Sequence, residues 1–454
     1  MSKYLGIDFG TTNSVCAISE NGRSTVLKIE DNYQKEMLKS VIYVNPKHEM
    51  VVGKEAVRRY LWDVENLPAT PPKRITTGKM YKIVKNSTYG GFAGMIDVPE
   101  IIEVDTSGRG RLLQSLKSVL GNDSYTGTNI FNKYYALEDL LVILIKELKN
   151  RSEQIAGEEL NKVIIGRPVR YVGNNPSEKL AVKRMERIAK RVGFSAAKLE
   201  YEPVGAALDF GIDIKKELTV LVFDFGGGTL DVCIMRFPTQ EILAVSGRSI
   251  GGDLLNTEIF KNNLLHYFGA NTTFNQGNME MPRHLMSALE NWYSISQLKT
   301  MRNIDSLENL ISKADQPQPV KNLRELILSD SGFNIYQKID QAKISLSTKE
   351  KAHITFPSKS YTIDETISRK RFEHLIEPYL KETKRMLDEV IKTAGLTKEE
   401  LDTVIATGGS SNIPSFKNLL VTYFGSQKIR FGENFTRVAS GLALRSEQVF
   451  SAKL

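Results

Sequence analysis

Three observations predict a mixed α/β fold made of two related halves that close on a shared cleft. The first is the stretch Val220–Met235, "VLVFDFGGGTLDVCIM": an apolar run leads into Asp224, a turn carries Gly226, Gly227, Gly228 and Thr229, and apolar residues come after it. The second is its counterpart at Tyr4–Ile18, "YLGIDFGTTNSVCAI", where Asp8 aligns with Asp224, Gly10 with Gly226, and Cys16 lies near the place of Cys233. Two Asp-Phe-Gly hairpins far apart in one chain indicate internal duplication. The third is a strand-then-helix segment downstream of each hairpin. "KVIIGRPV" (Lys162–Val169) reads as a strand ahead of a helix with Leu180, Met185, Ile188 and Val192 at helical spacing. "TVIATGGSSNIPSF" (Thr403–Phe416) reads as a strand ending at Gly408-Gly409, with Pro414 near the start of the next helix. Each half is therefore a β-hairpin with βαβ elements after it.

The turns carry a chemical reading. Glycine reaches positive φ and lets another body approach the backbone closely. Successive free N–H groups form a concave anion site. Thr229 adds a hydroxyl donor and Asp224 a fixed negative charge. An anion nest beside a carboxylate calls for a cation between them. Phosphate with Mg2+ fits, because Mg2+ binds through one or two carboxylates, waters and phosphate oxygens. A glycine-rich hairpin turn with a solvated Asp would give the same residues once; the second copy points to two lobes closing on one nucleotide.

Composition narrows the class. The 454 residues suffice for two to four domains or subdomains, and 41% hydrophobic content indicates a core-forming protein. No apolar run approaches a membrane span, and no N-terminal signal is visible ahead of the hairpin at Tyr4. Two cysteines on presumed core strands suit a reducing, cytoplasmic setting. The net charge of +8 has its best cluster at Lys183–Arg191, read as the solvated face of the amphipathic helix, so neither nucleic acid nor membrane is an expected partner. The five histidines lack metal-ligand spacing, and neither a Walker-type loop nor a strand-elbow serine motif occurs.

"GIDFGTTNS", "YEPVGAALDFG", "VFDFGGGTLDV", "IGGDLL", "QAKISLS" and "GGSSNIP", in that order over nearly the whole chain, resemble the nucleotide-binding domain of the 70-kDa heat-shock chaperones. Within that family the sequence looks most similar to the short chaperone-like proteins of the YegD type. The resemblance implies an α/β actin-like ATPase fold, two lobes with duplicated ribonuclease-H-like cores and inserted subdomains. Lobe I is expected at 1–200 with an insertion near 50–130, and lobe II at 201–454 with an insertion near 253–345 and no C-terminal peptide-binding domain. It also implies slow hydrolysis of ATP to ADP with Mg2+, K+ as a further cation, and another protein, client or co-factor, as partner. A small-molecule kinase on the same fold and a nucleotide-gated protein-binding module are the alternatives.

Residue by residue, the resemblance makes Asp8 and Asp224 the metal-facing acids, acting through water, and Gly10, Thr11, Thr12 and Asn13 the first phosphate loop. Gly226, Gly227, Gly228 and Thr229 match the second phosphate loop, and Gly251 and Gly252 a further loop near the nucleotide. Lys117 matches the catalytic lysine, which would offset charge on the transferred phosphoryl group. Glu202 matches the carboxylate near metal and attacking water. By residue type alone, Lys117 also reads as a surface lysine on a helix, Glu202 as a polar residue at a helix start, and Trp292 and Tyr293 as core. Asp340, Lys343 and Ser347, with Gly408, Gly409 and Ser410, match the adenosine side. That side departs from the family: its acid is usually Glu, Ile344 and Asn412 stand where arginine occurs, and Phe435 where Asp is common.

Overall fold

A computed structural model describes residues 2–30, 35–85, 94–173, 176–211, 214–275, 277, 279–432 and 436–451. The first lobe is built on β1 (Tyr4–Phe9), β2 (Asn13–Glu20) and β3 (Arg23–Val26), an antiparallel meander in which Phe9 pairs with Ser14 across the first turn. After α1 (Gly53–Asn66) and α2 (Leu137–Ala156), β4 (Lys162–Arg167) joins β1 in parallel. Then α3 (Glu178–Val192) leads to β5 (Ala196–Tyr201), parallel to β4. The order is β5-β4-β1-β2-β3, with Met37–Lys39 also pairing with β2. The central strands read as near-continuous apolar runs because helices cover both their faces. Leu137, Leu141, Leu144 and Leu148 form one buried stripe on α2, which ends where Gly157 takes a left-handed conformation.

The second lobe repeats this plan strand for strand. Behind α4 (Glu202–Gly211) come β6 (Leu218–Phe225), β7 (Leu230–Phe237) and β8 (Glu241–Arg248). The helices α5 (Gly252–Ile259), α6 (Met301–Lys313), α7 (Pro317–Ser329) and α8 (Gly332–Leu346) are next, followed by α9 (Arg369–Thr393), which stands ahead of its strand as α2 does in the first lobe. Then β9 (Thr403–Thr407), α10 (Pro414–Phe424) and β10 (Ile429–Phe431) complete the sheet, in the order β8-β7-β6-β9-β10. Both βαβ units are thus parallel, as the sequence predicts. The cysteine correspondence is off by one position: Cys16 pairs with Ile7 and Cys233 with Val222, and both thiols are buried and free.

The chain returns through α11 (Arg437–Ser451), which lies against β1, β2 and α4. Its packing is backbone-close. A Cβ on Gly441 would stand 1.7 Å from the carbonyl oxygen of Gly205, and one on Gly6 2.2 Å from the amide nitrogen of Ala443. Ser19 Oγ donates to Glu447 at 2.5 Å and Gly22 N–H to the same carboxylate at 3.0 Å, fastening the helix to the first meander.

The basic cluster on α3 departs from its expected solvated role at one position. Arg184 is buried and donates to the carbonyls of Leu120, Asn122 and Tyr125, whereas Arg187 and Arg191 pair with Glu138 and Asp139 on α2. The segments around α1 and the end of α7 meet. Tyr60 on α1 donates its hydroxyl to the Asp330 carbonyl at 2.5 Å, Lys299 pairs with Asp105 at 2.8 Å, and buried Arg109 reaches the carbonyls of Ser329, Val64 and Leu67. Phe333 stacks edge-on against both Tyr60 and Trp292, so Trp292 belongs to packing. The loop expected at Ser87–Gly94 lies, but for Gly94, outside the described residues, as does Phe435.

Candidate functional site

The two hairpin turns project from the ends of β1 and β6 and face each other. A Cβ added to Gly227 would lie 2.8 Å from Thr12 Oγ1, and one on Gly228 2.7 Å from Thr11 Oγ1. Only glycine lets the two loops come this close. Within lobe II the loops are tied together. Gly252 N–H and Ser410 Oγ both donate to Gly226 O, at 3.1 and 3.0 Å, and Asp253 N–H donates to Gly227 O at 2.9 Å. Gly408 holds φ +81°, and a side chain there would strike the Phe225 carbonyl. Thr12 Oγ1 is buried with no hydrogen-bond partner among the described residues, so a donor or acceptor facing the first turn is left for something else to satisfy.

Beneath the turns lies a cluster of charge. Ser115 in the left-handed region starts the 3-10 turn Leu116–Val119, whose buried Leu116 and neighbouring Leu120 anchor Lys117 facing inward. Lys117 is buried and forms an ion pair with Glu202, the first residue of α4. Gly166 gives room for that carboxylate: a Cβ there would be 3.0 Å from Glu202 Cγ. Asp8, Asp224 and Asp231 surround the pair. Confinement among protein atoms pushes the Asp8 carboxyl up to about 7, with Glu202 adding to the shift and Lys117 opposing it. Burial, then Glu202, Asp8 and Asp231, drive Asp224 well above the usual carboxylate range. Asp231 rises to about 7, chiefly by burial and Glu202. Four carboxylates share one lysine, and such a cluster gains from an added cation. Among the described residues no three His, Cys, Asp or Glu side chains converge tightly enough to hold a metal directly. Water and phosphate oxygens would have to complete any Mg2+ shell, which is how Mg2+ binds.

Asp231 escaped the sequence reading as a site residue. Its Oδ1 accepts from Val169 N–H at 2.8 Å and its Oδ2 from Thr229 Oγ1 at 2.6 Å. Thr229, expected to hold phosphate, thus has its hydroxyl hydrogen-bonded to Asp231. The signal was an acid at the start of an otherwise apolar strand. Asp253 was missed as well; burial, offset by Lys343, pushes it up to about 6.

Among the residues expected to meet adenosine, Lys343 is buried, donates to Gly252 O at 3.0 Å and pairs with Asp340 at 2.9 Å. Burial raises Asp340, but Lys343, Asn256 and Lys39 outweigh it and hold the carboxyl below its usual range. Gly408, Gly409 and Ser410 lie beside this group at the end of β9. Ser347 sits just past α8 and is not hydrogen-bonded to these loops among the described residues.

The family described as Hsp70 protein matches residues 4–88, 113–296 and 331–452. The chain belongs to the Hsp70 family. Its fold is therefore the actin-like ATPase fold. Similar proteins include the chaperone protein dnaK of Cyanidioschyzon merolae, 25% identical over 98% of this chain and 62% of that protein. The DnaK of Thermus thermophilus is 26% identical over 98% and 61%. An HscA homolog chaperone of Methylobacillus flagellatus is 25% identical over 97% and 57%. The chain thus spans about three fifths of the length of these curated relatives. The Hsp70 match leaves out 89–112 and 297–330, the two stretches that supply Arg109, Asp105, Lys299 and Asp330 to the contact around α1 and the end of α7. No described helix is long and apolar enough to cross a membrane.

Proposed function

We propose that this Hsp70-family chain binds ATP with Mg2+ between its two hairpin turns and hydrolyses it slowly to ADP, working in the cytoplasm with another protein as client or co-factor. The observation that carries this reading is the pair of apposed turns, Thr11 and Thr12 against Gly228 and Gly227, set over a buried Lys117–Glu202 pair ringed by Asp8, Asp224 and Asp231. Lobe I would occupy 1–200 and lobe II 201–454, with insertions near 50–130 and 253–345.

Gly10 to Asn13 and Gly226 to Thr229 would cradle the phosphates through backbone N–H groups. Asp8 and Asp224 would hold Mg2+ through water, and the ion would neutralise phosphate charge; K+ is the further cation this site would take. Lys117 would offset the charge that develops on the transferred phosphoryl group. Thr229, its proton committed to Asp231, would accept a hydrogen bond from the attacking water, and Glu202 would orient that water from the other side. Asp340, Lys343, Ser347 and the loop Gly408–Ser410 would contact adenosine.

A second reading, a nucleotide-gated protein-binding module with little turnover, is favoured by one observation: the Lys343 ammonium is already engaged by Gly252 and Asp340. Phosphate release from the purified chain with ATP and Mg2+, alone and with a panel of metabolites, separates the two. Steady slow release supports the ATPase; tight binding without release supports the module; release only as ADP plus a phosphorylated metabolite sinks both. Asp224→Asn should weaken ATP binding mainly when Mg2+ is present, measured by calorimetry with and without EDTA. An equal loss in both conditions removes Asp224 from the metal shell.

A further inference from the structure

A long two-stranded ribbon, Lys73–Lys85 paired antiparallel with Gly94–Val104, leaves lobe I with no other strand beside it among the described residues. Every residue from Lys73 to Tyr81 is exposed, and the ribbon shows water Ile75, Met80, Tyr81, Met95, Ile96 and Ile101. A two-stranded ribbon of this kind gains little by itself, and its open edges offer unpaired N–H and C=O groups. The two edges differ. From Lys73 to Lys82 the first strand carries Lys73, Arg74, Lys79 and Lys82 and no acid. The second strand carries Asp97, Glu100 and Glu103 and no base. Its edge is also blunted: Pro99 lacks an N–H, Glu100 is occupied by Thr77 and Tyr81, and Glu103 by the amide of Met301.

These features exclude both simple self-pairings. Two first strands brought together would set lysine against lysine, and a first strand added to a second would meet the edge that Pro99 interrupts. We infer that the outer edge of the first strand, in its regular part from Met80 onward beyond the bulge between Thr76 and Met80, docks an extended segment of another protein, acidic and apolar at alternate positions. Such a segment would add a third strand with all its carboxylates on one face: by register they stand opposite Lys82 while its apolar side chains cover Tyr81, or opposite Lys79 while they cover Met80. The base of the ribbon is coupled to lobe II, since Arg74 pairs with Asp305 on α6 at 3.2 Å.

The test is fluorescence anisotropy of a labelled peptide alternating Glu and Val, titrated with the full chain. Binding should weaken as salt rises, because the lysines are exposed. The double variant Lys79→Glu/Lys82→Glu should lose affinity by roughly tenfold or more, and a peptide alternating Lys and Val should not bind. Hydrogen exchange should show new protection from Met80 to Lys85 when the Glu–Val peptide is present. Unchanged thermal melting of the double variant will show that it folds. Equal binding by wild type and variant, or protection confined to other segments, overturns the proposal. Self-association of the chain that the double variant abolishes would instead assign the edge to a second copy. Tighter binding of a poly-uridine oligonucleotide than of the peptide would assign it to nucleic acid.

Discussion

Lys117 decides more than any other single side chain. Among the described residues it is the one cation paired within the cluster of acids, so its removal has two separable effects. Lys117→Ala should lower ATP turnover by roughly 10²–10³-fold, the scale of losing one preorganised donor, with a far smaller change in affinity. It should also cost the nucleotide-free protein about 3–5 kcal/mol, because Glu202 is left buried and unpaired; urea titration checks this. The acids themselves set a pH dependence. Asp8 and Asp231 rise from an ordinary value of 3.8 to about 7 in the folded chain. A raised carboxyl favours the folded state fully only below the unfolded value, and the advantage is lost as pH climbs toward 7. The nucleotide-free chain should therefore melt at a lower temperature at pH 8 than at pH 6. Binding of ATP with Mg2+ near pH 7 should release protons, seen by calorimetry in buffers of different ionisation heat. The glycines and Asp8 were legible in the sequence because tight turns and acids at strand ends leave a local mark. Asp231 and the orphaned Thr12 hydroxyl were not, since their significance rests on partners brought in by Val169 and Gly227.

At the level of elements, the duplicated sheets were legible and the contact between the insertions was not. Strand runs and glycine punctuation repeat at Tyr4–Ile18 and Val220–Met235, so topology could be read by comparing the chain with itself. Arg109 meets Ser329 across 220 positions, and Tyr60, in the middle of α1, meets Asp330 across 270; apart from Tyr60 the partners are loop and helix-end residues with no periodicity. That contact, drawn largely from the two stretches outside the family match, ties α1 to the end of α7. It should slow the exit of a bound nucleotide. The double variant Tyr60→Phe/Lys299→Met removes two bridging hydrogen bonds while leaving the aromatic packing in place. It should speed dissociation of a fluorescent ADP by roughly tenfold, at about 1 kcal/mol for a neutral bond and more for the charged one. Stopped-flow displacement measures this, and an unchanged rate would mean the lobes stay closed by the turns alone.

For the molecule as a whole, α11 is the piece on which the rest depends. It supplies Ala439 and Ala443 to the small-residue layer with Val15 and Ala17, and Glu447 to the first meander, contacts spanning more than 400 positions. Everything in lobe I up to β5 is made long before the helix that covers it. At the usual pace of about 5–20 residues per second, the ribosome takes roughly 20–90 s to pass from the first hairpin to residue 451. For that interval the face of β1 and β2 that α11 will close stays bare on a growing polypeptide. A chain halted at residue 436 should accordingly be cut by protease within Tyr4–Val26, where one carried through residue 451 resists. A protein of a chaperone family would then itself pass through its synthesis as a substrate that needs shelter.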